Sequence, residues 1–115
     1  MAECLFCRIV AGEIPAKMVR RTADVLAFHD IDGKAPVHVL VIPARHVPAV
    51  RAATGPEGQA LLGQLLAFCA EVATDLGLDS RGYRIVTNTG ADAGQSVDHL
   101  HLHVLGGRKL TWPPG

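Results

Sequence analysis

Three histidines alternate with aliphatic residues near the C-terminal end of the 115-residue chain. Successive side chains of a β-strand point to opposite faces, so His99, His101 and His103 are predicted to share one face and Leu100 and Leu102 the other. A neutral imidazole is nucleophilic through one ring nitrogen while a hydrogen bond at the other nitrogen fixes its tautomer. The row therefore predicts either a reactive site with the central His101 as nucleophile, or a metal site with these rings as ligands.

A loop punctuated by glycines, residues 90–96, leads into the histidine row. If His101 attacks phosphorus, negative charge builds on the phosphate oxygens, and backbone amides with a hydroxyl group would stabilise that charge. Gly94, Gln95 and Ser96 supply such groups. The loop matches neither the dinucleotide fingerprint nor the ending of a P-loop, so these two common nucleotide motifs are excluded.

The cysteines allow a second interpretation of the histidines. Cys4 and Cys7 form a Cys-x-x-Cys pair, and with distant histidines such as His38 and His46 they could complete a Cys₂His₂ zinc site. Two free thiols on one short helix explain the same pair equally well. Three cysteines are an odd number, which favours reduced thiols or a metal over a disulfide framework, and Cys69 falls on the apolar stripe of a predicted helix as core filler.

The composition excludes several classes of protein. Lys plus Arg equals Asp plus Glu, at 11 each, so no overall positive field attracts nucleic acid or an anionic membrane. Apolar residues make up 49% of the chain, which is typical of a globular domain, and its length fits one domain over residues 1–115. Neither a signal peptide nor a run long enough to span a membrane is visible, and these features predict a cytoplasmic protein.

Hydrophobic periodicity predicts the elements that position these residues. A short helix is expected over residues 4–11 and strands over 18–21, 25–30, 38–43 and 83–88, followed by the histidine strand. A long helix should begin at a capping box made by Thr54 and Glu57, with Pro56 in its first turn, and end at Gly77. Strands grouped around two helices predict an α+β fold with a mostly antiparallel sheet, in which strand 83–88 pairs with the histidine strand.

Together these motifs resemble the histidine triad nucleotide-binding family, in particular its Hint branch. The resemblance lies in Gly94-Gln-Ser-Val, the histidine row, the following Gly-Gly-Arg and the terminal Trp112-Pro-Pro-Gly, and it extends to the segments that begin at Gly12, Leu26 and His38. It implies a five-stranded HIT-like fold with one long and one or two short helices. It also implies a homodimer with one continuous sheet, in which the tail at residues 108–115 docks near the partner's active site.

The resemblance further implies a purine nucleoside phosphoramidase that cleaves a P–N bond to give a nucleoside monophosphate and an amine. His101 would carry the covalent nucleotidyl group, supported by His38, His99, His103 and Ser96. Asp30 would bind the ribose hydroxyls, and the remaining substrate contacts would come from Leu5, Phe6, Ile9, Phe28, Ile31, Leu40, Asn88, Gly94, Gln95 and Trp112. Catalysis would need no cofactor, and the ligands would be AMP, GMP and their phosphoramidates.

Three features depart from the pattern of the branch. Cys4 and Cys7 are foreign to the animal Hint proteins and look like those of bacterial zinc-bearing relatives, in which His46 and His99 would complete a structural zinc site. Asp98 stands where the branch often has an aromatic residue, and Asp32-Gly-Lys-Ala replaces a loop usually richer in Ser or Pro, so the preference for a leaving group stays open. Two other functions also stay open: a nucleotide-binding or scaffold protein with vestigial hydrolysis, and a dinucleoside polyphosphate hydrolase or nucleotidyl transferase.

Overall fold

One five-stranded antiparallel sheet with a helix on each face makes up the computed structural model, which describes residues 4–115. The first three residues of the predicted domain lie outside this range. The strands run in the order β1-β2-β3-β5-β4, and every neighbouring pair is antiparallel. The elements are β1 (Met18–Arg21), β2 (Val25–His29), β3 (Val37–Pro43), β4 (Tyr83–Val86), β5 (Leu102–Gly106), α1 (Leu5–Val10), α2 (Pro56–Asp75) and a 3₁₀ turn (Val50–Ala52). The predicted α+β fold and the pairing of β4 with β5 are confirmed.

The central strand β3 is buried on both faces and contributes side chains to two separate core clusters, one on each face of the sheet. Val39 and Val41 pack into the larger cluster beneath α2, while Leu40 and Ile42 pack with Phe6 of α1 on the opposite face. This division follows from the alternation of side chains along a strand. The α2 face is therefore wholly apolar core, and the α1 face is where the polar residues of the histidine row are brought together.

The long helix α2 starts differently from the prediction. Its N-cap is Gly55, no side chain caps it, and the predicted capping box of Thr54 and Glu57 is wrong. With Gly55 as N-cap, the third helical residue is Gly58, where an added Cβ would lie 2.2 Å from the backbone of Ala53. That close approach leaves no room for the Glu or Gln of a capping box. Pro56 in the first turn is confirmed, and no helix within residues 4–115 is long and apolar enough to cross a membrane.

The histidine row is not one continuous strand. β5 begins at Leu102, so His103 lies in the strand and His99 and His101 precede it. The Leu100 amide donates to the carbonyl oxygen of Val47, 2.6 Å away, and not to a sheet neighbour. The prediction that the three histidines lie in one strand is therefore wrong. Their shared face is retained, since the His99 and His101 rings both pack against Phe6 while Leu100 and Leu102 lie in the core beneath α2.

Candidate active site

His101 is held as one defined tautomer on the α1 face of the sheet. It is 4% exposed, and its Nδ1 lies 2.7 Å from the carbonyl oxygen of His99. A carbonyl oxygen only accepts, so Nδ1 must carry the proton and the neutral ring keeps its lone pair at Nε2. The ring packs edge-on against Phe6, with centroids 5.1 Å apart, and lies 5.0 Å from the ring of His103. His101 is therefore oriented as a nucleophile would need to be.

A cluster of polar side chains, here called the imidazole relay (Asp30, His38 and His103), lies beside His101. The backbone amide of Lys34 donates to Nδ1 of His38 at 3.0 Å, so the proton of neutral His38 must be on Nε2. That Nε2 donates to Nδ1 of His103 at 2.9 Å. A carboxylate oxygen of Asp30 lies 3.5 Å from the same Nε2. The far nitrogen of neutral His103 must then carry its proton.

His103 Nε2 is a buried polar atom without a hydrogen-bond partner in the described part of the chain. The relay makes it an N–H donor, and an unpaired buried donor is costly unless a ligand satisfies it. Burial, with the neighbouring rings of His101 and His38, lowers the pKa of His103 to about 4. Burial also lowers the pKa of His38. Both rings are therefore neutral near pH 7, as the tautomer argument requires.

A second group, here called the sulfur cluster (Cys4, Cys7, His46 and His99), lies on the other side of His101. All four ligand atoms lie within 4.8 Å of one another. Cys4 is the N-cap of α1, and its sulfur accepts from the Cys7 amide at 3.3 Å, so the short helix presents both thiols to the same point. His46 follows β3 after a bend at Ala44 and Arg45. The structure therefore brings together the four residues predicted as zinc ligands.

The spacing and protonation of the sulfur cluster suit a tetrahedral metal. His99 Nε2 lies 2.9 Å from the carbonyl oxygen of Pro43, so it donates there and leaves the lone pair on Nδ1. That Nδ1 is 3.3 Å from Cys4 Sγ and 3.5 Å from Cys7 Sγ, and His46 Nδ1 is 3.3 Å from Cys7 Sγ. Zinc bonds of about 2.3 Å to sulfur and 2.0 Å to nitrogen, at tetrahedral angles, place N and S about 3.5 Å apart. The donor set fits Zn²⁺.

The electrostatics of the sulfur cluster also favour a cation. Burial is the main cause that raises the pKa of the Cys7 thiol, and the hydrogen bond and charge of Cys4 raise it further. Burial lowers the pKa of His99, which keeps the ring neutral. A metal ion would favour both thiolates and the neutral imidazoles.

An apolar pocket of about 240 Å³ opens beside His101. Its walls come from α1, from the end of β2 with the loop after it, and from β3. The predicted site residues that line it are Leu5, Phe6, Ile9, Phe28, Asp30, Ile31, Leu40, Ser96, His101 and His103. Leu5 and Ile31 are exposed at its rim. The pocket is thus an apolar slot with a few polar groups at one end, as small-molecule sites commonly are.

Other predicted site residues lie outside this lining. His38 does not line the pocket but hydrogen-bonds to His103, which does. His99 contacts His101 through its backbone carbonyl oxygen. Asn88 is half-buried after β4, and Gly94 is exposed with φ of +83°. Gln95 points away from the pocket, and Trp112 is 80% exposed against Arg84.

The pocket also contains residues that received no role from the sequence. They are Ile14, Pro15, Ala16, His29 and Val97. The segment 14–16 belongs to the Gly12-Glu-Ile-Pro-Ala motif, which was a signal for the family but not for a pocket wall. His29 carries no spacing argument, and only the fold places it at the slot. A wider groove of about 720 Å³ near Arg45 and Glu57 holds no nucleophile and lies apart from His101.

Comparisons with known proteins agree with this geometry. The family model described as HIT domain matches residues 11–110. An uncharacterised HIT-like protein of Synechocystis is 53% identical over 116 residues, covering 100% of both chains. The crystal structure of a HIT family hydrolase from Legionella pneumophila superposes with a TM-score of 0.94 at 44% identity, covering 98% of this chain and 100% of that one. A histidine triad nucleotide-binding protein from Candida albicans gives 0.81 at 32% identity, covering 96% and 83%.

Proposed function

Since this chain belongs to the HIT domain family, we propose that it is a hydrolase of purine nucleoside 5′-phosphoramidates that acts through a covalent nucleotidyl-histidine. The single observation that carries the proposal is the 2.7 Å distance between His101 Nδ1 and the His99 carbonyl oxygen. This hydrogen bond requires the proton of the neutral ring to be on Nδ1. The Nε2 lone pair is then available for attack at phosphorus. The HIT family hydrolase from Legionella pneumophila supports the hydrolytic class.

The reaction has two steps at His101. In the first, Nε2 attacks the α-phosphorus, a new P–N bond forms to the ring, and the bond to the amine breaks as the amine takes up a proton from solvent. In the second, water attacks the same phosphorus, the P–N bond to the ring breaks, and water's proton returns to solvent as the nucleoside monophosphate and the free imidazole are released. The neutral ring needs no prior deprotonation, since its proton stays on Nδ1, hydrogen-bonded to the His99 carbonyl oxygen, and Nε2 keeps its lone pair.

The imidazole relay supplies the charge stabilisation. The unpaired Nε2–H of His103 is the donor that a phosphate oxygen would satisfy, and the relay through His38 to the Lys34 amide keeps the proton on that nitrogen. A preorganised donor in a buried site stabilises developing charge without reorganising. The Ser96 hydroxyl at the pocket mouth is a second candidate donor.

The apolar slot and Asp30 support a nucleoside as the ligand. Phe6 and Phe28 meet edge-on with centroids 5.6 Å apart, which gives the slot a firm aromatic wall for a purine face. Asp30 lines the same pocket, and a carboxylate accepts hydrogen bonds from two vicinal hydroxyls well. The expected signature is a loss of the preference for AMP over 2′-deoxy-AMP in Asp30→Asn.

Zinc in the sulfur cluster would be structural. Cys4, Cys7, His46 and His99 would hold it in a closed shell, which stabilises the fold and leaves no open position for a substrate. The His99 side chain would bind the metal, while the His99 carbonyl oxygen orients His101. The sulfur cluster and the proposed nucleophile are therefore only two residues apart in the chain.

A homodimer would complete the site. β4 is an edge strand of the sheet, and an unpaired edge is a template for pairing with a second copy. The tail lies along this edge, where Arg84 donates to the Thr111 carbonyl at 2.9 Å and its guanidinium lies 6.0 Å from the Trp112 ring. Pairing through β4 would bring the exposed Trp112 toward the partner, and sedimentation of wild type checks the dimer.

Mass spectrometry of protein quenched during turnover of adenosine 5′-phosphoramidate tests the proposal. We expect an adenylyl adduct on a peptide containing His101 and none in His101→Ala. Turnover without an adduct, and with His101→Ala as active as wild type, would contradict it. Faster turnover of a diadenosine polyphosphate than of the phosphoramidate would replace the assigned substrate class but keep the nucleophile.

A further inference from the structure

The side chain of Gln95 is turned away from the pocket, and both polar atoms of its carboxamide are hydrogen-bonded to the backbone. Its Oε1 accepts from the Gly90 amide at 2.9 Å, and its Nε2 donates to the carbonyl oxygens of Pro48 at 2.8 Å and Val97 at 3.0 Å. Only this orientation of the carboxamide satisfies all three contacts. Gln95 therefore lacks a free donor for a substrate, although its neighbour Ser96 lines the pocket.

Gln95 also joins the loop to its own first residue, Gly90. Its own backbone amide donates to the Gly90 carbonyl at 3.1 Å, so Gly90 and Gln95 are joined by two hydrogen bonds of opposite direction. Gly90 and Gly94 both have positive φ, which lets the chain turn tightly between them. The contact with Pro48 then fastens this closed loop to the segment that carries His46.

We propose that Gln95 is a positioning residue that fixes loop 90–97 so that Ser96 and the adjacent amides face His101. The inference rests on the proposed function, because that function assigns a phosphate to the loop. One side chain holds both ends of the loop and the neighbouring segment. Its loss therefore disorders the phosphate donors, while the walls of the nucleoside slot that come from α1, β2 and β3 stay in place.

Gln95→Met tests this role, since methionine has a similar length and lacks the amide. The matched control is Gln64→Met, on the exposed face of α2. We expect the Kd for AMP to rise about tenfold in Gln95→Met, as expected for the loss of several hydrogen bonds. The Kd for adenosine, which lacks phosphate, should stay within twofold, and the control should match wild type for both ligands.

Amide hydrogen exchange of the ligand-free protein separates positioning from direct contact. The Gly90 amide should exchange at least about tenfold faster in Gln95→Met, because its acceptor is gone. A weakened AMP affinity with unchanged Gly90 exchange would make Gln95 a direct phosphate contact and overturn the inference. Unchanged AMP affinity in Gln95→Met would overturn it as well.

Two further measurements keep the result interpretable. Gln95→Glu retains an acceptor for Gly90 but places a carboxylate oxygen against the carbonyl oxygens of Pro48 and Val97, so its AMP affinity should fall as well. Wild-type AMP affinity in Gln95→Glu would overturn the inference. Wild-type protein that does not bind AMP would overturn the proposed function and the phosphate assigned to the loop. Gly90 exchange would then still decide whether Gln95 holds the loop.

Discussion

The sulfur cluster and the imidazole relay flank His101 and use the same side chain in opposite ways. Each gathers at least three metal-capable groups within 4.8 Å. In the sulfur cluster, the His99 lone pair converges with two thiols on one point. In the imidazole relay, a proton lies between His38 and His103, whose nitrogens are 2.9 Å apart. Residue type alone therefore does not decide which histidine binds metal.

The backbone group at the far ring nitrogen accounts for the difference. The Pro43 carbonyl oxygen accepts a hydrogen bond from Nε2 of His99 and so leaves the lone pair on Nδ1. The Lys34 amide occupies the Nδ1 lone pair of His38 and makes its Nε2 a donor. A partner that only accepts and a partner that only donates select opposite tautomers. The first choice leaves a lone pair that a metal could use, and the second produces a hydrogen-bond donor that faces His103.

The largest effect is expected at the residue between the two clusters. His101→Ala should lower turnover of adenosine 5′-phosphoramidate by about 10⁴-fold or more, because the nucleophile is lost. The Kd for AMP should change by less than about tenfold, since the pocket walls remain. Steady-state kinetics and calorimetric titration measure the two effects. Loss of AMP binding together with activity would mean that His101 serves mainly as a pocket residue.

The metal content of variants tests whether the sulfur cluster and the imidazole relay differ in metal binding, and the expected effect is the next largest. Purified protein should contain one zinc per chain, and Cys7→Ser should contain none. His38→Ala, which disrupts the imidazole relay alone, should retain one. Zinc at a thousandfold excess over its Kd stabilises the fold by about 4 kcal/mol, so chelation should lower the unfolding temperature of wild type but not of Cys7→Ser. Two zinc ions per chain would contradict the assigned role of the relay.

Sequence periodicity predicted the sheet and α2 because both follow from local alternation of apolar residues. It failed at the start of α2, where the approach of Ala53 to Gly58 excludes the predicted capping box. It also gave three equivalent imidazoles. The partners that make them unequal, such as the Pro43 carbonyl 56 residues from His99, become neighbours only in the folded chain. The spacing of residues in the sequence predicts which side chains form the site. Contacts that exist only in the folded chain determine the role of each one.

Acid should destabilise the protein through the imidazole relay. The pKa of His103 is about 4 in the fold against an ordinary value of 6.5, so the unfolded chain binds this proton first as the pH falls. The His103 contribution is absent above pH 6.5, and it lowers the free energy of unfolding progressively between pH 6.5 and about 4. Denaturant titrations of the zinc-loaded protein should show a shallower decrease over this range in His103→Asn. An equal slope in both proteins would contradict the buried neutral ring.

The smallest effect is expected at the thiol outside both clusters. Cys69 is fully buried under the sheet, and burial raises its pKa to about 12. Its thiolate fraction at pH 8 is then roughly one in 10⁴, so only two thiols should react in the folded, metal-free protein. Cys69→Ala should retain zinc and activity and lose about 1 kcal/mol of stability from the small cavity that it leaves. Three rapidly reacting thiols would contradict the burial of Cys69. Thiol titration before and after chelation would therefore separate thiols held by a metal from the thiol protected only by packing.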